Sequence, residues 1–225
     1  MNARKIISLV LEAAIVASMI TGVVLTSGLA GGFMGGATTF LYFTIQSNLW
    51  MGAIAFVTAC FTLAELLGRK KGAPRAVLMM KYVFTVSITL TGVVFCGVLA
   101  PTMPGAFGSA ANVLTHVVVP LLSVVDLFVA DAPQGLKYKE MFYTWIPPLY
   151  YLGFATVGYF LDWNFGMGNN YPYFFLNWDS PAGAFGFTDD PVYFMGSFYW
   201  IIVLLIFVSL VAMLYLALLR RRAKR

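Results

Sequence analysis

The sequence predicts an all-α membrane bundle of six transmembrane helices, with both termini on the cytoplasmic side. Three observations carry that expectation. The 225-residue chain is 60% hydrophobic and only 10% charged, whereas soluble domains carry about a quarter charged residues. Six apolar runs are each long enough to cross a hydrocarbon core of roughly 30 Å. All 14 Lys and Arg residues fall in or beside alternate connections between those runs. Disorder is excluded by the same composition, because disordered chains are poor in large apolar residues.

The runs lie at about 6–26, 40–67, 77–99, 111–130, 142–161 and 194–219. Each is expected to be helical, because an unpaired backbone amide in lipid costs several kcal/mol. Arg4 and Lys5 precede the first run. Arg69, Lys70, Lys71, Arg75 and Lys81 lie between or beside the second and third. Lys137 and Lys139 separate the fourth and fifth, and Arg220, Arg221, Arg222, Lys224 and Arg225 end the chain. The connections 27–39, 100–110 and 162–193 hold no Lys or Arg. Alternation this complete places the basic connections in the cytoplasm. The net charge of +5 is therefore a topology signal, and nucleic acid is not an expected partner. Membrane lipids are.

The first run has basic residues before it and small residues after it, around Ser27 to Gly32, as a cleavable signal peptide does. Its apolar stretch is longer than a typical signal core and contains Glu12, so it is expected to be retained. No soluble domain separates from the rest, no internal repeat is visible, and the paired broken helices of inverted-repeat transporters are missing. The chain is one six-helix domain over 1–225. Its longest non-spanning segment, 162–193 on the external side, has ten Phe, Trp or Tyr and four Asp among 32 residues. Two readings fit: a lid folded back on the helix ends, or an aromatic belt at the interface.

The cysteines, Cys60 and Cys96, lie in apolar runs at mismatched depths. A disulfide is not expected, and both read as packing residues. One histidine with two dispersed cysteines makes no zinc or iron ligand set.

Polar residues inside a bilayer are costly, so each is a functional candidate. At 100° per residue, Thr44, Ser47 and Asn48 share one face of the second helix, while Gln46 points elsewhere. Asn112 and His116, four apart, share a face of the fourth. Thr44 and His116 each lie four or five residues into their run, roughly 6–8 Å below the same boundary. Pro120 removes the backbone hydrogen bond to the carbonyl of His116 and can kink the helix there. His116 is the only histidine, and a neutral imidazole can take a proton from Thr44 and return it to a leaving group. Thr44 is the candidate nucleophile, with Ser47 its competitor. Asn48 is the candidate donor to an oxyanion or substrate carbonyl, and Asn112 the group that orients the imidazole. No carboxylate lies at this depth in the six helices, although Asp162 or Asp179 can reach in from the external segment. Glu12 and Glu65 are expected to snorkel to the interface. Asp126, roughly 15 Å deeper than His116, is expected to pair with Lys81 or Lys137. Against these functional readings, Ser and Thr in membrane helices commonly bond their own backbone, and Asn and His commonly staple helices together.

Phe43-Thr44-Ile45-Gln46-Ser47-Asn48-Leu49, Asn112-x-x-x-His116 with Pro120, and Tyr171-Pro172-Tyr173 resemble elements of prokaryotic six-helix membrane proteins. Those are similar to the androgen-induced gene 1 and androgen-dependent TFPI-regulating protein family. The resemblance covers the whole layout through short motifs. It implies an intramembrane threonine hydrolase of fatty acid esters of hydroxy fatty acids. Its catalytic Thr and His fall at Thr44 and His116. The expectation is thus a cell-membrane lipid ester hydrolase, or an acyltransferase, needing neither metal nor organic cofactor. The alternatives are a small transporter or lipid-binding protein with the same polar cluster as a binding site, and a scaffold in which the cluster only joins two helices.

Overall fold

The computed structural model describes residues 2–29, 36–69 and 72–223. Lys70, Lys71, Lys224 and Arg225, part of the charge pattern above, lie outside the described residues, as do residues 30–35 of the first connection.

The described residues form an all-α bundle. Helix α1 spans Asn2–Ser27 and α2 spans Phe43–Leu66, after a 3-10 turn at Gly36–Leu41. Helix α3, Arg75–Val94, runs on through a π turn at Phe95–Leu99 and a 3-10 turn at Ala100–Thr102. Helix α4 spans Ala110–Val129, interrupted by a π turn at Leu114–Val118. Helix α5 is Ile146–Phe160 and α6 is Ser197–Ala223. Five of these (α1 to α4 and α6) are long and apolar enough to cross a membrane. Their outer faces present exposed Val10, Phe56, Leu121 and Leu210, a surface suited to lipid rather than water. The chain is thereby an integral multi-pass membrane protein.

The expected span 142–161 takes a different form. Pro147 and Pro148 have no backbone N–H and are tolerated in an α-helix only in its first turn. The α-helix therefore begins at Ile146, and a 3-10 segment, Tyr138–Trp145, precedes it.

Two apolar clusters divide the interior. Ile15, Met19, Ile45, Met51, Ile54, Ile88 and Val119 join α1, α2, α3 and α4. Tyr82, Val86, Leu90, Tyr151, Phe175, Trp200 and Leu216 join α3, α5, α6 and the 162–193 segment. Polar pairs stitch the second cluster together. The Tyr82 hydroxyl donates to the carbonyl of Ala212 at 2.9 Å, and Trp145 Nε1 donates to Ser209 at 2.9 Å.

The basic residues gather at one end of the bundle. Arg4 and Arg222 both donate to the carbonyl of Ala130, at 2.6 and 2.5 Å, so the first and last helices meet where α4 ends. Lys5 pairs with Glu65. Arg75 pairs with Glu140, whose other oxygen accepts the Lys137 amide at 2.8 Å. Burial pushes the Glu140 carboxyl up, but the Lys137 amide and the Arg75 guanidinium outweigh it and hold the group below its ordinary value.

Deeper in, Lys81 lies 2.7 Å from Glu12 and 2.5 Å from Asp126, and Ser8 donates to Asp126 at 2.8 Å. All four side chains are buried. Asp126 thus pairs with Lys81, as expected. Glu12 does not reach the interface: it points inward because a buried ammonium offers it a partner that water would otherwise supply. Cys60 and Cys96 are free and exposed on the bundle's outer face, so they line the lipid side and do not pack the interior.

Removing Lys81 strands two carboxylates away from water. Lys81→Met is expected to destabilise the bundle by about 3–5 kcal/mol, read as a fall in thermal midpoint in detergent. Adding Glu12→Gln and Asp126→Asn is expected to recover most of that loss. The Glu140 contribution has the sign of a depressed carboxylate. It is fully present above the ordinary value of 4.5 and is lost as pH falls through the lower folded value. Glu140→Gln is therefore expected to flatten the acid side of the stability–pH curve.

Candidate functional site

Thr44 and His116 come together where α2 begins and α4 makes its π turn. Thr44 Oγ1 stands 3.2 Å from His116 Nε2. The other ring nitrogen, Nδ1, lies 3.0 Å from the backbone carbonyl of Asn112 and 3.1 Å from Thr115 Oγ1. A carbonyl only accepts, and the Thr115 hydroxyl spends its hydrogen on the Ala111 carbonyl at 2.8 Å. The proton of a neutral imidazole therefore sits on Nδ1, which leaves the Nε2 lone pair facing the Thr44 hydroxyl.

The local fold explains how the imidazole gets there. Pro120 has no N–H for the carbonyl of His116, so the regular ladder fails there, and the π turn includes His116. A second π turn on α3 begins at Phe95, whose ring stacks on the imidazole with centroids 3.7 Å apart and planes at 17°. Gly92 makes that approach possible. A methyl at Gly92 would sit 3.0 Å from the His116 carbonyl oxygen and 3.1 Å from Pro120 Cβ.

The other expected site residues take supporting places. Ser47 turns to α3, bonding Thr91 Oγ1 at 2.7 Å and the Thr44 carbonyl at 3.1 Å. It is fully buried and lines neither cavity, so Thr44 alone of the two faces the imidazole. Asn48 was expected to be the oxyanion donor, but both its amide hydrogens are used. They go to the carbonyls of Thr44 at 2.7 Å and Thr115 at 3.0 Å. Turning the amide round would set its oxygen against two carbonyls, so its role is to clamp α2 to α4. Asn112 orients the ring through its backbone carbonyl, while its side chain donates to Ala106 at 3.0 Å. Neither Asp162 nor Asp179 reaches in. Asp162 accepts from Asn170 at 3.3 Å, and Asp179 accepts from Tyr159.

The segment 162–193 lies over this place and is tied to the helix ends. Tyr42 donates to the carbonyl of Phe165 at 2.5 Å, and Ser197 to that of Asn177 at 3.1 Å. From it Tyr173 descends between the helices, and its hydroxyl meets the Thr44 amide at 3.3 Å and Thr44 Oγ1 at 3.5 Å. Phe95 and Tyr173 were not assigned roles from the sequence. Tyr173 lay inside the quoted Tyr171-Pro172-Tyr173 motif, and Phe95 carried no signal.

Two cavities meet at Thr44. One, of about 570 Å³, has a mixed lining that includes Thr26, Tyr42, Ser109, Asn112 and His116. The other, of about 80 Å³, is nearly all apolar, lined by Leu90, Val94, Leu152, Leu176 and Leu204 among others. It extends to Leu149, exposed on the flank of the bundle. Thr44, Phe95, Leu99 and Tyr173 line both.

Comparison with protein-family models, with curated proteins and with solved structures finds no match to this chain.

The close packing at Gly92 predicts a specific cost. Gly92→Ala is expected to destabilise the bundle by roughly 1–3 kcal/mol through overpacking. Gly97→Ala, where a methyl meets nothing within 4 Å, serves as the control expected to leave the thermal midpoint in detergent unchanged.

Proposed function

We propose that this protein is an intramembrane lipid ester hydrolase acting on fatty-acyl esters, such as fatty acid esters of hydroxy fatty acids. Thr44 is the nucleophile, and His116 is the general base and acid. The observation that carries the reading is the 3.2 Å contact between Thr44 Oγ1 and an imidazole nitrogen whose lone pair faces it. The resemblance to the androgen-induced gene 1 family points to the same two residues.

In this reading the chain crosses the cell membrane of a prokaryote six times, with α5 and its 3-10 lead-in as the fifth crossing. The basic end is cytoplasmic, and the 162–193 segment is external. The carbonyl end of the acyl chain occupies the apolar cavity, and the rest of the chain runs out past Leu149 into the lipid. The alcohol half and the hydrolytic water use the larger, mixed cavity. Thr44, at the junction of the two, meets the ester carbonyl.

The chemistry then balances with this chain's own groups. Thr44 Oγ1 bonds the carbonyl carbon, its proton passes to His116 Nε2, and the carbonyl electron pair moves to oxygen. Collapse breaks the bond to the alkoxy oxygen, which leaves as the alcohol with the proton from His116. Water attacks the acyl-threonine and gives a proton to His116. That proton returns to Thr44 Oγ1 as the fatty acid leaves. A lipid-binding protein is the second reading, favoured by the size of the mixed cavity.

Labelling of the detergent-purified protein by a fluorophosphonate probe separates the two. Wild type and Ser47→Ala are expected to label, Thr44→Ala is expected not to, and His116→Ala is expected to label roughly 10²–10⁴-fold more slowly. Folding of each is checked by size exclusion. Well-folded wild type that takes no label would sink the hydrolase reading and leave the binding one.

A further inference from the structure

Ester cleavage through a tetrahedral intermediate needs donors aimed at the oxygen that becomes negative. Asn48, the donor the sequence suggests, has no hydrogen to spare. The other hydroxyls near Thr44 are also committed to carbonyls: Tyr42 to Phe165, Tyr151 to Leu41 and Thr115 to Ala111. Two donors remain beside the nucleophile. The first is the Thr44 backbone N–H. Helix α2 begins at Phe43 without a side-chain cap, so this amide belongs to the first turn, where N–H groups have no partner within the helix. It points instead at the Tyr173 hydroxyl oxygen, 3.3 Å away. The second is the Tyr173 hydroxyl, which meets Thr44 Oγ1 at a long 3.5 Å and otherwise neighbours the Tyr151 hydroxyl, whose own hydrogen goes to the Leu41 carbonyl.

Resting on the hydrolase reading above, the geometry points to an oxyanion site formed by the Thr44 amide and the Tyr173 phenol. Tyr173 is thus a further catalytic residue, supplied by the 162–193 segment. In the resting site the phenol oxygen occupies the acceptor place of the Thr44 amide. As the ester enters, its carbonyl oxygen takes that place and accepts from both groups. No proton leaves Tyr173: the phenol hydrogen-bonds the oxyanion and lets it go when the carbonyl reforms. The positive end of the α2 dipole lies at the same point and favours the developing charge.

The surroundings suit a donor of this kind. The Tyr173 ring stacks on Phe175 with centroids 5.1 Å apart and planes at 6°, and meets Tyr42 edge-on at 5.8 Å. The hydroxyl is therefore held by packing and not by a carbonyl that would have to be given up. Burial pushes the phenol up to about 12, so at neutral pH it is protonated and acts as a donor and not as a base.

The test uses full-length protein in detergent, a p-nitrophenyl acyl ester and the fluorophosphonate probe. Tyr173→Phe keeps the stacked ring and removes only the hydroxyl. It is expected to lower kcat and the labelling rate roughly 10²–10³-fold, with KM and thermal midpoint little changed, because the oxyanion exists only in the transition state. Should Tyr173→Phe fold poorly, site-specific fluorotyrosine at 173 gives a second readout. Its more acidic phenol is expected to bring the alkaline fall in rate to lower pH, which a merely structural tyrosine would not do. Wild type that labels, with Tyr173→Phe within twofold of it or an unmoved alkaline limb, would overturn the role of Tyr173 and leave the Thr44–His116 reading standing. Absence of labelling in wild type would overturn both.

Discussion

The arrangement of α1, α3 and α4 follows from one ammonium group. Lys81 sits in the interior on α3, with Glu12 of α1 and Asp126 of α4 against it. An isolated ion moved from water to a low-dielectric interior costs on the order of 20 kcal/mol by the Born estimate. No lone member of this cluster can be buried there, and none can reach water without parting the helices. The three helices therefore take a register that brings both carboxylates against the one ammonium. Ser8, donating to Asp126 from one turn earlier on α1, narrows it further. Apolar side chains slide past one another at little cost. This cluster does not.

A fixed register in the lower half determines what meets in the upper half. Glycines are the points of closest approach. A methyl at Gly22 would come within 2.7 Å of Thr115, and one at Gly52 within 2.2 Å of Met19. In a bilayer there is no hydrophobic drive between helices, and close backbone approach supplies the packing in its place. Here it also brings α1 and α3 against the π turn of α4 from two sides. Asn48 adds the third clamp, from α2, by donating to carbonyls of both partners. The Thr44–His116 contact is thus the outcome of three helix pairs, each held by its own small-residue or amide contact.

How much of this was legible depended on whether the controlling variable was a distance along the chain. Helix rise alone puts Thr44 and His116 at one depth, and Asp126 deep enough to need Lys81. Lys and Arg alternation is a count. Five helices and the all-α class follow from run length, and the fifth run departs because Pro147 and Pro148 limit where an α-helix can start. What was hidden is angular or many-bodied. Asn112 does lie beside His116 as the 100° steps predict, but its carbonyl does the work expected of its amide. Glu12 reads as a group near a helix end until Lys81, 69 residues away, is seen to face it. Asn48 reads as a free donor until two carbonyls take its hydrogens.

The two π turns show why irregular backbone belongs at this point. A π turn carries an extra residue and leaves the helix wider, with poorer hydrogen bonds, and such turns are frequent at functional sites. In a membrane interior that loss is tolerated only where other protein covers the backbone or a cavity is lined. Both conditions hold here. Gly92 of α3 covers the His116 carbonyl that Pro120 leaves without its usual donor, and the larger cavity lies along the other side of the turn. The extra residue swings His116 toward α2, where Phe95, carried by the π turn of the neighbouring helix, closes over its face. With one face covered by Phe95 and Nδ1 held by Asn112, the ring cannot turn. The Nε2 edge is left as the part that can exchange a proton, and Thr44 stands in front of it.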